Sequence, residues 1–508
     1  MSEIAIPKGT ENWIHQTVSR DGQVILHIAE HHRSDMQVQS YVKRMREQQT
    51  VVVDFLPLDQ IKELKETLPR DANGQDLSQN QARVIAFFRK AAELNASDIH
   101  LEIGKGGTTH VIMRVHGDLI KVDSISKEDG LSLASTIIYS MCDVAETQFN
   151  ANRQQDGRLR KEFLQGLGLF GARYAHTPAV YGLYVVMRVL PDESADPPTP
   201  EALGFLPEQI AQFRRILQRP EGIIILSGPT GSGKSTTLRS FAKLYLEFTN
   251  YMRRLLMIED PPEGEVEGAV QTAIIADKNN PAAVSAAWVR MMSAGLRLDP
   301  DAIIIGEMRD ANSAQISVTA ALTGHLVLGT VHSNDPINIL ERLLTMGINP
   351  ALLTDPQLFA GLISQRLVQL LCENCKKPWS AVEAALTPEQ RRLLTENCDT
   401  AKLFFRHTQG CDCCHAGITG RAVIAEVIVP DATFMQIYSK RGKLAARAYW
   451  HNTLGGITRN AHMMQYVNAG RVDPLAADRV SPLDEDRWLS SECYTTEAMP
   501  NETTERVY

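Results

Sequence analysis

Three groups of residues in the sequence have the types and spacing to do chemistry. The first is the run GPTGSGKST, Gly228 to Thr236. Gly228, Gly231 and Gly233 let the backbone curl so that amide N–H groups point inward. The whole run, with Pro229, Thr230, Ser232 and Thr236, is the expected binding segment for the phosphates of a nucleotide. Lys234 would reach the β- and γ-phosphates, and Ser235 would offer its hydroxyl to a Mg²⁺ ion.

The second group is acidic. MIEDPPE places Glu259 and Asp260 at the end of one apolar run, and DAIIIGEMRD places Glu307 at the end of another. A carboxylate at such a strand end can orient an attacking water or hold a metal-bound one. The usual strand of the second kind ends in an aspartate that holds the magnesium ion, and here Gly306 stands in that place. His325 and His332 bracket a further apolar run, LVLGTV. A neutral imidazole can hydrogen-bond a γ-phosphate or relay its presence, and the position after the acidic strand favours His332.

The third group is Cys372 and Cys375 followed by Cys411 and Cys414, two CxxC pairs among eight cysteines. Paired CxxC spacing supplies four thiolates for a tetrahedral Zn²⁺. Cys413 leaves the second pair ambiguous, and His415 is an alternative ligand. A closed four-cysteine site leaves no open position for chemistry, so its expected role is structural.

These residues need elements to position them. GIIIL, bounded by glycines and placed directly before the phosphate-binding run, reads as a buried parallel strand, and STTLRSFAKLYLEF after it reads as a helix. RLLMIED, AIIIGE and LVLGTVH are further strands, separated by helix-length segments. That alternation predicts an α/β domain, a parallel sheet with helices on both faces. The ends of its strands would share the edge where ligands bind. Upstream, QARVIAFFRKAAELNASDIHLEI predicts a helix and a strand, and HVIMRVHGDLIKV and LYVVMRVL predict more strands of an α+β domain. PDESADPPTPEALG reads as a linker.

The order GPTGSGKSTT, IEDPPE, LRLDPDAIIIGEMRD, TGHLVLGTVHSND and QRLVQLLCENC resembles the secretion ATPases of type II secretion and type IV pilus systems, the relatives of PilB, PilT and GspE. The resemblance covers roughly residues 90–480. It implies a RecA-like P-loop core preceded by a PAS-like domain and followed by a zinc-binding and helical region. In this family the acidic strand characteristically ends in Gly-Glu, so Gly306 is a family trait. The resemblance also implies that arginines of the PAS-like domain reach the nucleotide when a ring closes. Arg173 in GARYAH and Arg188 in VVMRV match, Arg114 less closely; family members often carry Ser or Thr where Tyr174 to His176 stand. It assigns the zinc ligands to the outer two cysteines of CDCC.

The implied segments are 1–80, an N-terminal region; 81–192, PAS-like; 193–203, a linker; 204–370, the ATPase core; 371–425, the zinc knuckle; 426–485, helical; and 486–508, a disordered tail. The implied function is an ATP-hydrolysing ring motor, a homo-oligomer and specifically a hexamer. It would act on an inner-membrane platform protein to drive pilus assembly or type II-like secretion. The cysteines favour assembly over retraction and weigh against a type IV secretion ring. A nucleotide-gated scaffold without turnover is the reading from a different class.

Composition sets outer limits. A net charge of −8 over 508 residues weighs against a dedicated nucleic-acid surface. The opening MSEIAIPKGTENW has no basic segment followed by an apolar run, and no stretch approaches the length of a membrane-crossing helix. The expected location is cytoplasmic, peripheral to the cytoplasmic face of the inner membrane.

Overall fold

The computed structural model describes residues 10, 13–18, 24–33, 35–48, 51–57, 60–61, 78–143, 148–192, 197–276 and 280–490. Residues 193–196 of the expected linker and 491–508 of the expected tail lie outside the described residues. The chain divides into two compact units, Met1–Met113 with Lys121–Val189, and Arg114–Ile120 with Leu190–Tyr508.

The first unit begins with a small sheet of β1 (Ile14–Val18), β2 (Val24–Ala29) and β3 (Val51–Leu56), with helix α1 (Met36–Gln48) as the crossover between the parallel pair β2 and β3. Val38, Tyr41, Val42 and Met45 recur at helical spacing on α1 and pack with Ile14, Leu26 and Ile28 of the sheet. Next comes helix α2 (Gln79–Glu93). Ser78 accepts from Gln81 N while the Gln81 side chain returns to Ser78 N, a reciprocal cap that fixes the helix start. A six-stranded sheet follows, ordered β6-β5-β4-β9-β8-β7. Its strands are β4 (Ala96–Lys105), β5 (Thr108–Val115), β6 (Asp118–Ser126), β7 (Gln155–Leu159), β8 (Leu169–Ala179) and β9 (Gly182–Pro191).

The second unit is built on a seven-stranded sheet. Its strands are β10 (Gly222–Ser227), β11 (Leu255–Glu259), β12 (Ala269–Ala273), β13 (Ala302–Ile305), β14 (Leu326–Val331), β15 (Phe359–Leu371) and β16 (Ile418–Ile428). Their order is β12-β11-β13-β14-β10-β15-β16, parallel except for the antiparallel pair β15 and β16. Every residue of β10, β11, β13 and β14 is buried, which is why these strands read as unbroken apolar runs and not as alternating ones. Alternate residues serve different cores. Ile223, Ile225, Ile258, Ile303 and Ile305 join Trp288 and Val318 on one face. Ile224, Leu226, Met257, Ile304 and Leu328 join Phe213 and Phe241 on the other.

The edge strand β16 lies beyond the cysteines, so the segment that carries them is an insertion between two paired strands. The expected boundary at 425/426 falls inside β16, and the expected parallel sheet gains one antiparallel strand. RAVIAEVI has the same apolar character as its neighbours, but the cysteine-rich stretch before it masked its continuity with the core. After β16 come the helices Ala432–Asn452, Arg459–Asn468 and Pro474–Val480, and a short 3₁₀ turn at Arg487–Ser490 in which Leu489 is buried. Among the described residues no helix is long and apolar enough to cross a membrane.

Candidate active site

The loop after β10 turns at Gly228, Gly231 and Gly233, with φ of 150°, 77° and 84°. Two of these glycines are required by what surrounds them. A Cβ on Gly228 would lie 2.4 Å from the Gln365 carbonyl oxygen, and Gly233 is left-handed immediately before helix Lys234–Phe248. Gln365 on β15 donates from Nε2 to the Ser232 carbonyl at 2.7 Å and so ties the loop to the neighbouring strand. Lys234 Nζ donates to the carbonyls of Gly228 at 2.9 Å and Pro229 at 3.1 Å. These are loop carbonyls, and the ammonium is thus folded over the concavity that a phosphate would fill. Burial lowers the Lys234 ammonium below its ordinary value, while the charges of Glu307 and Glu263 pull in the opposite direction. Ser235 and Thr236, on the first turn of the helix, are half-buried. The helix N-terminus adds partial positive charge there.

The acidic groups converge on the same edge because β11, β13 and β14 run parallel to β10. Glu259 ends β11 and is 8% exposed, and its Oε2 accepts from Gln271 Nε2 at 2.9 Å. Glu307 lies two residues past β13. Its Oε1 is 2.9 Å from His332 Nε2, and its Oε2 accepts from Arg309 Nε at 2.8 Å. Arg309 also approaches Asp260 at 3.7 Å. Both oxygens of Glu307 are therefore held, one by each neighbour, and the carboxylate has a fixed direction.

Gly306 fits this arrangement. A Cβ there would stand 3.4 Å from Glu259 Cα and 3.7 Å from Glu259 Cγ. An aspartate at 306 would project into the space beside Glu259 and set two carboxylates against each other, which raises the cost of ionising both. The Gly306 carbonyl is fixed instead by Thr330 Oγ1 at 2.7 Å.

His325 does not join this group. Its Nδ1 is 3.1 Å from the Ala320 carbonyl and serves the end of the preceding helix. Arg173 and Arg188 lie in the first unit. Arg188 Nε donates to Asp98 at 3.1 Å across the β4–β9 pair. Arg173 is half-buried on β8 opposite Arg158. Tyr174 and His176 face the other side of β8, where the Tyr174 hydroxyl is 2.8 Å from His176 Nδ1 and both are buried.

The four cysteines meet. Cys372, Cys375, Cys411 and Cys414 have their sulfurs within 4.8 Å of one another, with separations of 3.7 Å for 372–411 and 375–414 and 3.6 Å for 411–414. Four sulfurs roughly 2.3 Å from a common tetrahedral centre stand about 3.8 Å apart, so the donor set fits zinc. Cys413 is exposed and His415 is outside the cluster.

Sequence reasoning missed Gln271, Arg309 and Gln365 as partners of the site. Arg309 had a signal, a cation two residues after Glu307. Gln271 and Gln365 had none, because only the sheet order brings them to Glu259 and Ser232.

A phosphate-binding loop and a clamped carboxylate on one edge of a doubly covered parallel sheet define a P-loop ATPase. Residues 75–472 match the family described as type II/IV secretion system protein, and the chain belongs to that family. It is 36% identical over 402 residues to the type II secretion system ATPase E of Vibrio cholerae serotype O1, covering 78% of this chain and 75% of that protein. It is 36% identical over 359 residues to the type IV pilus assembly ATPase PilB of Thermus thermophilus, covering 70% of this chain but only 38% of that longer protein. The solved structure of the Legionella pneumophila ATPase DotB shares the fold, with a TM-score of 0.55 at 21% identity over 78% of this chain and 95% of that one.

Proposed function

We propose that the protein is an ATP-hydrolysing motor that powers type IV pilus assembly or type II-like protein secretion. The observation that carries this reading is Glu307, aimed by His332 and Arg309 on the same sheet edge as Lys234. A scaffold that only binds nucleotide would need the loop but not a carboxylate clamped at both oxygens.

In this reading residues Gly228 to Thr236 bind the phosphates, and Ser235 holds Mg²⁺ with Glu259 acting through water. Glu307 orients the attacking water, and His332 fixes Glu307 and meets the γ-phosphate. Arg173 and Arg188 approach the nucleotide when subunits of a ring, a hexamer, close; Arg188 must first leave Asp98. An arginine so placed in other phosphoryl-transfer enzymes is worth roughly 10³–10⁵ in rate. The four cysteines hold a structural Zn²⁺. The ring would work peripherally at the cytoplasmic face of the inner membrane, on a platform protein embedded there. The cysteine set supports assembly over retraction.

Phosphate release by the purified oligomer tests the reading. ATP-dependent release that disappears in Lys234→Ala is expected. Release no greater in the wild type than in Lys234→Ala would leave the scaffold reading.

A further inference from the structure

The loop that carries His332 continues into a buried charge network that the catalytic reading does not use. Asn334 and Asp335 follow two and three residues after His332. Arg459 Nη1 donates to the Asn334 carbonyl at 3.1 Å. Arg447 Nη1 donates to Asp335 Oδ2 at 2.6 Å. The other Asp335 oxygen, Oδ1, accepts from Ile337 N at 2.8 Å and Asn338 N at 3.3 Å and so starts the next helix, Asn338–Thr345. Behind the two arginines stands Glu426 on β16, fully buried, bound by the Arg447 guanidinium and accepting from Arg459 N at 3.0 Å. Arg447 and Arg459 are themselves 8% and 5% exposed.

Such a network is a poor source of net stability, because desolvating the charges costs about what their pairing returns. Its consequence is geometric. The guanidinium forks fix the backbone on the far side of His332, and His332 in turn fixes Glu307 Oε1. Arg447 sits on a helical segment of its own, packed into the core through Ala446 and Trp450. The helix Ala432–Asn452 is broken at Gly442, where φ is 80° and ψ is −178°. The half beyond the break carries Lys443, whose Nζ donates to Asn338 Oδ1 at 2.8 Å, and Arg447. One arm of the C-terminal helices therefore grips both ends of the turn that follows His332.

We propose that Asp335, held by Arg447 and backed by Glu426 and Arg459, is a positioning residue for hydrolysis: it sets the place of His332 and thereby the aim of Glu307. The proposal rests on the roles given above to Glu307 and His332. Through the same contacts the C-terminal helices are coupled to the turnover step.

Asp335→Asn is the informative variant. The amide oxygen can still accept from Ile337 N and Asn338 N, and Arg447 keeps Glu426 as a partner. The amide nitrogen, a donor, replaces the oxygen that accepted from Arg447, so that contact is lost. A thermal melt accompanies the assay to confirm that the variant is folded. The measurement is steady-state ATP hydrolysis by the full oligomer, with turnover expressed per bound nucleotide so that loss of folded sites does not count. We expect kcat per site to fall roughly 10–100-fold, as for a displaced catalytic group, with KM for ATP changed less than about twofold. Arg447→Lys, which keeps the charge and loses the fork, should lie between the two. Asp335→Asn turning over within about twofold of the wild type per occupied site would overturn this proposal alone. A wild-type oligomer that hydrolyses nothing would overturn the motor reading, and this proposal with it.

Discussion

The nucleotide edge and the cysteine knuckle hold their polar groups in opposite ways. At the nucleotide edge the sheet does the positioning: four fully buried strands end side by side, Glu259, Glu307 and His332 stand at or just beyond those ends, and Lys234 opens the helix that follows the loop after β10. At the knuckle the order is reversed. The insertion between β15 and β16 reaches its four sulfurs from two short turns, and the two-residue strands Lys377–Pro378 and Phe404–Phe405 form its only ladder among the described residues. Its own buried side chains are few, Leu386, Leu394, Leu403 and Phe405, and they complete a core shared with β15, β16 and the C-terminal helices. Chemistry on the sheet edge should therefore be separable from stability, whereas at the knuckle a metal held by the four sulfurs would be part of the fold.

The sharpest way to break that contrast is to remove one sulfur. Cys372→Ser should lose one zinc per chain by elemental analysis and expose the segment Leu371 to Arg421 to proteolysis or hydrogen exchange. In zinc-finger peptides such binding is worth roughly 10–16 kcal/mol, so the loss is large locally. Absence of zinc from the wild type would remove the contrast altogether.

A smaller effect comes from acid. His462 accepts from Ala425 N at 3.0 Å and donates to the Gly204 carbonyl at 3.0 Å, which links β16 to the start of the core. Burial pushes its imidazole down to about 4, against the hydrogen bond it donates to the Gly204 carbonyl. The folded value lies below the unfolded one, so the unfolded chain takes up the proton first. Stability from this group is complete above about pH 6.5 and is lost as pH falls through about 4, by roughly 3 kcal/mol. Denaturant melts of the wild type and His462→Gln should diverge at neutral pH and converge towards pH 4. A constant difference across that range would contradict it.

The smallest expected effect is Thr330→Val, which keeps the shape and leaves the Gly306 carbonyl without its hydroxyl donor. It should cost about 1–2 kcal/mol in thermal unfolding. It should lower turnover more than the same loss of stability placed at the knuckle does. Equal effects on turnover would show that the edge is no more sensitive than the rest of the molecule.

Much of the fold was legible because strands buried on both faces leave unbroken apolar runs, and GIIIL, LLMIE, AIII and LVLGTV were readable without their neighbours. The strand RAVIAEVI was not placed, since its pairing with β15 spans an insertion of more than forty residues and nothing local announces that closure. In the candidate site, the loop glycines, Lys234, Glu307, His332 and the four cysteines could be picked out from type and spacing. Gln365, Gln271 and the Arg447–Asp335 contact depend on strand order and helix packing, which spacing does not encode. Gly306 belongs to both kinds. The glycine is visible in the sequence, and its proximity to Glu259 is visible only in the sheet.

The most direct test of the central claim is Glu307→Gln, followed by nucleotide binding and phosphate release on the same oligomer. The amide keeps the size of the side chain and removes its charge and basicity. ATP binding should be retained while turnover falls roughly 10²–10⁴-fold, because the carboxylate acts on the water in the transition state and not on the bound nucleotide. Turnover at the wild-type rate, or loss of ATP binding itself, would contradict the account.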